Sequence, residues 1–131
     1  MHEPYENRYH HKADFRVKYR FRNPEDGGRR TGPPYQGIRC DFSIESEAGK
    51  QQYRIWPEFE DSKGEVILQD KLPVPQEGTA LMWVGHPNMR PYHYDNIVLG
   101  LKCHFREGSM YSADCEVIEI LDLKKNPTES K

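Results

Sequence analysis

The chain has 131 residues, 35% apolar and 31% charged, with a formal net charge of −2, a wet composition for one domain that buries roughly two-thirds of its unfolded surface. Ten Gly and ten Pro imply many turns and leave little room for helix. No apolar run approaches the ~20 residues of a membrane span and Met1-His2-Glu3-Pro4 lacks a signal-peptide core, so no membrane partner and a cytoplasmic location are expected.

Taken in chain order, His2 to Lys12 is polar and aperiodic, and residues 1–13 read as a flexible N-terminal tail. From Phe15 to Arg22 the pattern alternates without a slip, with Phe15, Val17, Tyr19 and Phe21 on one face and Arg16, Lys18, Arg20 and Arg22 on the other, as a half-buried strand requires. Turn clusters at Asn23–Gly28 and Thr31–Pro34 follow. Ile38, Cys40, Phe42 and Ile44 alternate in a second strand, which assigns Cys40 to the core. Tyr53–Trp56 reads as a third strand ending at Pro57, and Glu65–Leu68 as a short fourth. Thr79–Val84 is apolar enough to be buried on both faces, and His86-Pro87 closes it. After a loop rich in Pro, Tyr and His, Leu99 to Arg106 alternates again. Tyr111 to Leu123 is the last strand, and its apolar phase changes between Val117 and Ile118, which predicts a bulge. Residues 124–131 read as a flexible C-terminal tail. Six or seven short strands without helical period predict an all-β, closed antiparallel barrel over residues 14–123.

Particular residues carry a family resemblance. Gly27-Gly28-Arg29-Arg30-Thr31, Pro34-Tyr35-Gln36-Gly37-Ile38-Arg39 with Phe42, Pro75 to Gly78 before a strand ending in His86-Pro87, and Gly100-Leu101 with Arg106-Glu107-Gly108 occur in one order. Together they resemble the C-terminal (third) barrel domain of elongation factor Tu, over about Phe15 to Leu123. The resemblance implies a six- to seven-stranded barrel and a surface that contacts tRNA backbone through Arg39, His86, Glu107 and Gly108. Asp41 departs from the pattern, standing where the family has a neutral Gln. Glu58–Gly64 and Met89–Asn96 look like insertions. No GxxxxGK[ST] phosphate loop is present, so the resemblance brings no GTPase activity and no nucleotide partner.

Independently of the family, Arg16, Lys18, Arg20 and Arg22 with Arg29 and Arg30 form the strongest candidate contact surface. Alternate strand residues lie roughly 7 Å apart, a spacing comparable to successive phosphates, and the same cations suit an acidic protein or simple solubility. Tyr92, His93 and Tyr94 place aromatic and hydrogen-bonding groups in the inserted loop, the mixture found at interface anchors. Cys40, Cys103 and Cys115 have no CxxC spacing, and His86, His93, Asp95 and His10-His11 have no spacing that fixes a coordination geometry, so no metal and no cofactor are expected. Cys103 and His104 point to opposite strand faces, which gives no nucleophile–base pair. The expected function is a non-catalytic module that engages tRNA-like RNA or a protein of the translation apparatus. The alternative is an immunity-type or inhibitory protein-interaction domain acting through its inserted loops.

Overall fold

Alternating side chains in residues 15–21 place one strand at the centre of the molecule. In the computed structural model, which describes residues 1–129, β1 (Phe15–Phe21) buries Phe15, Val17, Tyr19 and Phe21 and turns Arg16, Lys18 and Arg20 outward, as the period of two dictates. β2 (Asp41–Ile44), β3 (Ile55–Phe59), β4 (Glu77–Val84), β5 (Lys102–Glu107) and β6 (Met110–Ile120) follow. Every strand pairing is antiparallel, in the order β2-β5-β6-β1-β4-β3. Two short helices, α1 (Tyr5–Tyr9) and α2 (Arg90–His93), lie outside the sheet. Among the described residues no helix is long and apolar enough to cross a membrane.

The closed barrel expected from the sequence is not formed. The six-stranded sheet is open and curled into a half-barrel, with β2 and β3 as its edges. Between those edges there is one isolated bridge, in which Phe42 N–H donates to Tyr53 O at 3.0 Å and Tyr53 N–H donates to Phe42 O at 2.7 Å. Two local events prevent a ladder there. β2 stops at Ile44, where Glu45–Glu47 winds into a 3-10 turn. On the other side, Ile55 N–H donates to Tyr53 O at 2.9 Å, a three-residue turn that bends the chain toward β4. The strand expected at Glu65–Leu68 is likewise reduced to a bridge between Glu60 and Val66.

Pro57 lies inside β3 rather than ending it. Phe59 N–H, of the same parity along the strand, donates to Gln36 Oε1 at 2.8 Å and not to β4. The missing proline donor therefore falls on the free edge, where a strand tolerates it. The expected bulge is present, because Val17 pairs with Val117 and Arg16 with Glu119, leaving Ile118 unpaired in β6.

Curling brings distant strands together. The rings of Phe59 in β3 and Phe105 in β5 have centroids 6.0 Å apart, although four strand spacings in a flat sheet would separate them by about 19 Å. Phe15 and Phe42 meet similarly at 5.7 Å, and these rings form the core together with Tyr19, Phe21, Val17, Met82 and Cys103. Each fully buried aromatic of this kind contributes roughly 2 to 3 kcal/mol of transfer free energy.

The N-terminal residues read from the sequence as a tail pack as a strap on the outer face of β3 and β4. Tyr5 and Ala13 form a second apolar cluster with Trp83. Glu58, buried beneath the strap, accepts hydrogen bonds from Tyr5 N–H at 2.8 Å and Trp83 Nε1 at 3.1 Å, and its Oε2 lies 2.6 Å from His2 Nε2. Where the strap enters β1, buried Asp14 accepts from Arg90 Nε, Asn126 Nδ2 and Val84 N–H, each at 2.8 Å. Leu123 and Asn126 are buried as well. Positions 130 and 131 of the expected C-terminal tail lie outside the described residues.

Candidate functional site

The cationic stripe on β1 faces outward, and each of its members has an acidic neighbour. Arg16 forms a fork on Glu60, at 2.9 and 3.0 Å, and also reaches Glu119. Lys18 lies 3.7 Å from Glu116, and Arg20 lies 3.6 Å from Glu77. Arg22 donates to Asp114 at 2.8 and 3.0 Å. Burial raises the Asp114 carboxyl, but the hydrogen bond and charge of Arg22, with His104, outweigh it and hold the group below its ordinary value. Glu116 is lowered by Lys102, then Lys18. The register explains the pairing: β4 and β6 flank β1 and supply a carboxylate beside every cation. The stripe is therefore an alternating ionic lattice rather than a free positive track.

The turn residues divide in the same way. Arg29 is paired with Glu107 and donates to Gly32 O at 2.9 Å, and Glu107 also accepts from Ser112 Oγ. Arg30 is exposed. Gly108 adopts a left-handed φ of 62° in the β5–β6 turn, and its carbonyl accepts from Gln52 Nε2 at 2.8 Å.

A different arrangement surrounds Trp56. Arg39 is exposed, and its guanidinium lies 4.6 Å from the centroid of the Trp56 ring, a cation–π contact worth about 0.5 to 1 kcal/mol at an exposed site. Arg54 and Trp56 flank buried Ile55 and so share the outer face. Gly85 N–H donates to Arg54 O at 2.7 Å. A Cβ at Gly85 would lie 3.1 Å from Arg54 Cγ and 3.3 Å from Trp56, so the absence of a side chain lets both settle over the backbone. Exposed His86 follows directly. Among the described residues, neither Arg39 nor Arg54 has a carboxylate partner.

Beside this patch is a cavity of about 340 Å³, lined by Asp41, Gln51, Gln52, Tyr53, Arg54, Val84, His86, Met89 and His93. α2 brings His93 to it and buries the ring, whose edge meets Tyr53 at 5.2 Å between centroids. His93 Nδ1 is buried and has no hydrogen-bond partner among the described residues. Burial lowers the imidazole pKa to about 4; the Asp14 carboxylate opposes that shift and Arg90 adds to it, so the ring is neutral near pH 7. Tyr92 is exposed, with its hydroxyl 3.4 Å from that of Tyr53, while Tyr94 packs against the core.

Of the residues singled out in the sequence, the fold brings together Arg39, His86 and His93 with Asp41. It places the stripe elsewhere and spends Glu107 on Arg29. Arg54, Trp56 and Gln51 escaped the sequence reading, although the alternation Arg54-Ile55-Trp56 already set a cation and an indole on one outer face. Among the described residues no cluster of three His, Cys, Asp or Glu side chains is arranged to hold a metal ion. No family model matches the chain, and no curated protein matches it.

Proposed function

We propose that this chain is a non-catalytic RNA-binding module whose contact surface is the Arg39–Trp56–Arg54–His86 end of the sheet. The observation that carries this reading is the contrast between two sets of cations. Those on β1 lie beside carboxylates, whereas Arg39 lies over the Trp56 indole and Arg54 shares the outer face of β3 with it, neither with an acidic partner among the described residues. Cations that keep their charge draw phosphate by releasing counterions, and an indole or a guanidinium plane offers a stacking surface to an unpaired base. The resemblance to the third domain of elongation factor Tu supports the same end, since Arg39 and His86 stand at RNA-contacting positions of its pattern.

Fluorescence anisotropy with labelled tRNA and a single-stranded RNA, from 50 to 300 mM salt, tests the reading. Arg39→Ala and Arg54→Ala are each expected to weaken binding and to reduce the salt slope by about one. Arg20→Ala, which removes a paired cation, leaves both nearly unchanged. No measurable affinity at the lowest salt removes the proposal. A second reading, contact with a protein through the inserted loop and the residues that follow it, is favoured by Tyr92 within the loop and Val98 and Leu99 just after it, which are large, apolar and exposed on one segment. Capture of a protein partner that Val98→Ser/Leu99→Ser abolishes, without any RNA affinity, would establish it instead.

A further inference from the structure

The cavity beside Trp56 gathers several side chains with unspent hydrogen-bonding capacity around one buried, unpartnered ring nitrogen. Around it, Asp41, Gln51, Arg54 and His86 make no side-chain hydrogen bond or ion pair within the described residues, Gln52 uses only its amide N–H, on Gly108 O, and His93 Nδ1 is buried and unpartnered. Elsewhere the charges on β1, β5 and β6 are largely paired. Buried polar groups are ordinarily satisfied, and one left unpaired at a cavity points to a missing partner. Val84 and Met89 give the cavity an apolar part, and the polar side chains that make up most of its lining supply the groups that would orient a ligand.

Resting on the RNA-binding reading above, we propose that this cavity is a subsite for one guanine base of a bound RNA. Asp41 selects the base. An ionised carboxylate only accepts hydrogen bonds and does so through two oxygens. Guanine is the base whose pairing edge offers two adjacent donors, the N1–H and the 2-amino group. Adenine and cytosine set a ring acceptor beside their amino group, and uracil flanks its single N–H with two carbonyls. In each of those cases a lone pair faces the carboxylate. The Gln51 amide supplies the donor that guanine O6 needs, Val84 and Met89 offer an apolar surface to the face of the base, and Arg54 and His86 stand at the rim for ribose and phosphate. His93, neutral, adds the ring nitrogen that no protein group satisfies.

The test is titration of the full chain with GMP, IMP, AMP and CMP by calorimetry, in parallel with the RNA anisotropy. GMP is expected to bind at least about tenfold more tightly than AMP or CMP, with IMP, which lacks the 2-amino group, in between. Asp41→Asn should bring GMP down to the level of AMP while circular dichroism stays unchanged, since the Asp41 carboxylate holds no partner whose loss would unfold the chain. Arg39→Ala, outside the cavity, should weaken RNA and spare GMP. Equal binding of the four nucleotides by the unmodified chain overturns the guanine subsite by itself, whatever Asp41→Asn does to folding. RNA affinity that persists in that case leaves the broader function standing. GMP-selective binding with no RNA affinity upholds the site and removes RNA as its source.

Discussion

A charge placed on His93 would be buried next to Arg90, and the stability of the fold should record that cost. The folded pKa of about 4 lies below the ordinary 6.5, so between these values the unfolded chain holds more protons than the folded one. Stability is intact above pH 6.5 and falls as the pH drops toward 4, by up to about 3 kcal/mol. His93→Gln should remove this slope, as urea unfolding at pH 7, 5.5 and 4.5 would reveal. Asp14 and Arg90 are a stricter case, because each is almost wholly buried. Asp14→Ala strands a guanidinium and should cost about 3 to 5 kcal/mol, whereas the double change to Asp14→Ala/Arg90→Met should recover a large part of it in the same assay. Gly28→Ala is expected to be as damaging for a steric reason, since its Cβ would lie 2.0 Å from the Arg22 carbonyl oxygen. The sequence motif marked Gly28 as a turn residue. Nothing local marked Asp14, whose partners are 70, 76 and 112 positions away.

Strands and strap were legible to different degrees for one physical reason. A strand half buried against a core writes its period into consecutive residues, so β1 and the bulge of β6 could be read directly, whereas β5 begins only at Lys102, leaves Leu99 exposed and buries His104 and Arg106 along with Cys103 and Phe105, against the alternation expected there. The strap was hidden because its apolar residues Tyr5, Tyr9 and Ala13, spaced by four around one indole, are too few among polar neighbours to stand out as a helical period. Glu58 was equally opaque: it lay in a stretch that looked like an insertion, yet it is the buried acceptor that holds the strap down. Glu58→Ala leaves three donors or ring groups without their acceptor and is expected to lower stability by about 2 to 3 kcal/mol. Because Tyr5 and Tyr9 cover Trp83, the same variant should shift tryptophan emission to the red if the strap lifts; an unchanged spectrum would mean that apolar packing alone retains it.

On the scale of the whole molecule, the all-β antiparallel class was legible, but the closed barrel expected from it was wrong. Closure depended on the 3-10 turn at Glu45–Glu47 and the tight turn at Tyr53–Ile55, and neither disturbs the apolar alternation from which strands were inferred. The candidate site shows the same division. Arg39 and His86 were visible as residues, but their company was set by the approach of β2's edge to β3, so the cavity between Asp41, Arg54 and His93 had no sequence signature. Strand order has one more consequence, for the rate at which the chain folds. β1 is nearly the first segment of the chain and lies between β4 and the last strand, β6, so its two neighbours come from the middle and the far end. Most of the chain must be searched before the central strand is enclosed, and such non-local pairing typically folds in milliseconds to seconds. Stopped-flow refolding followed by Trp83 and Trp56 fluorescence should find its main phase in that range, and a microsecond main phase would mean that the local β5–β6 hairpin, not the enclosure of β1, limits the rate.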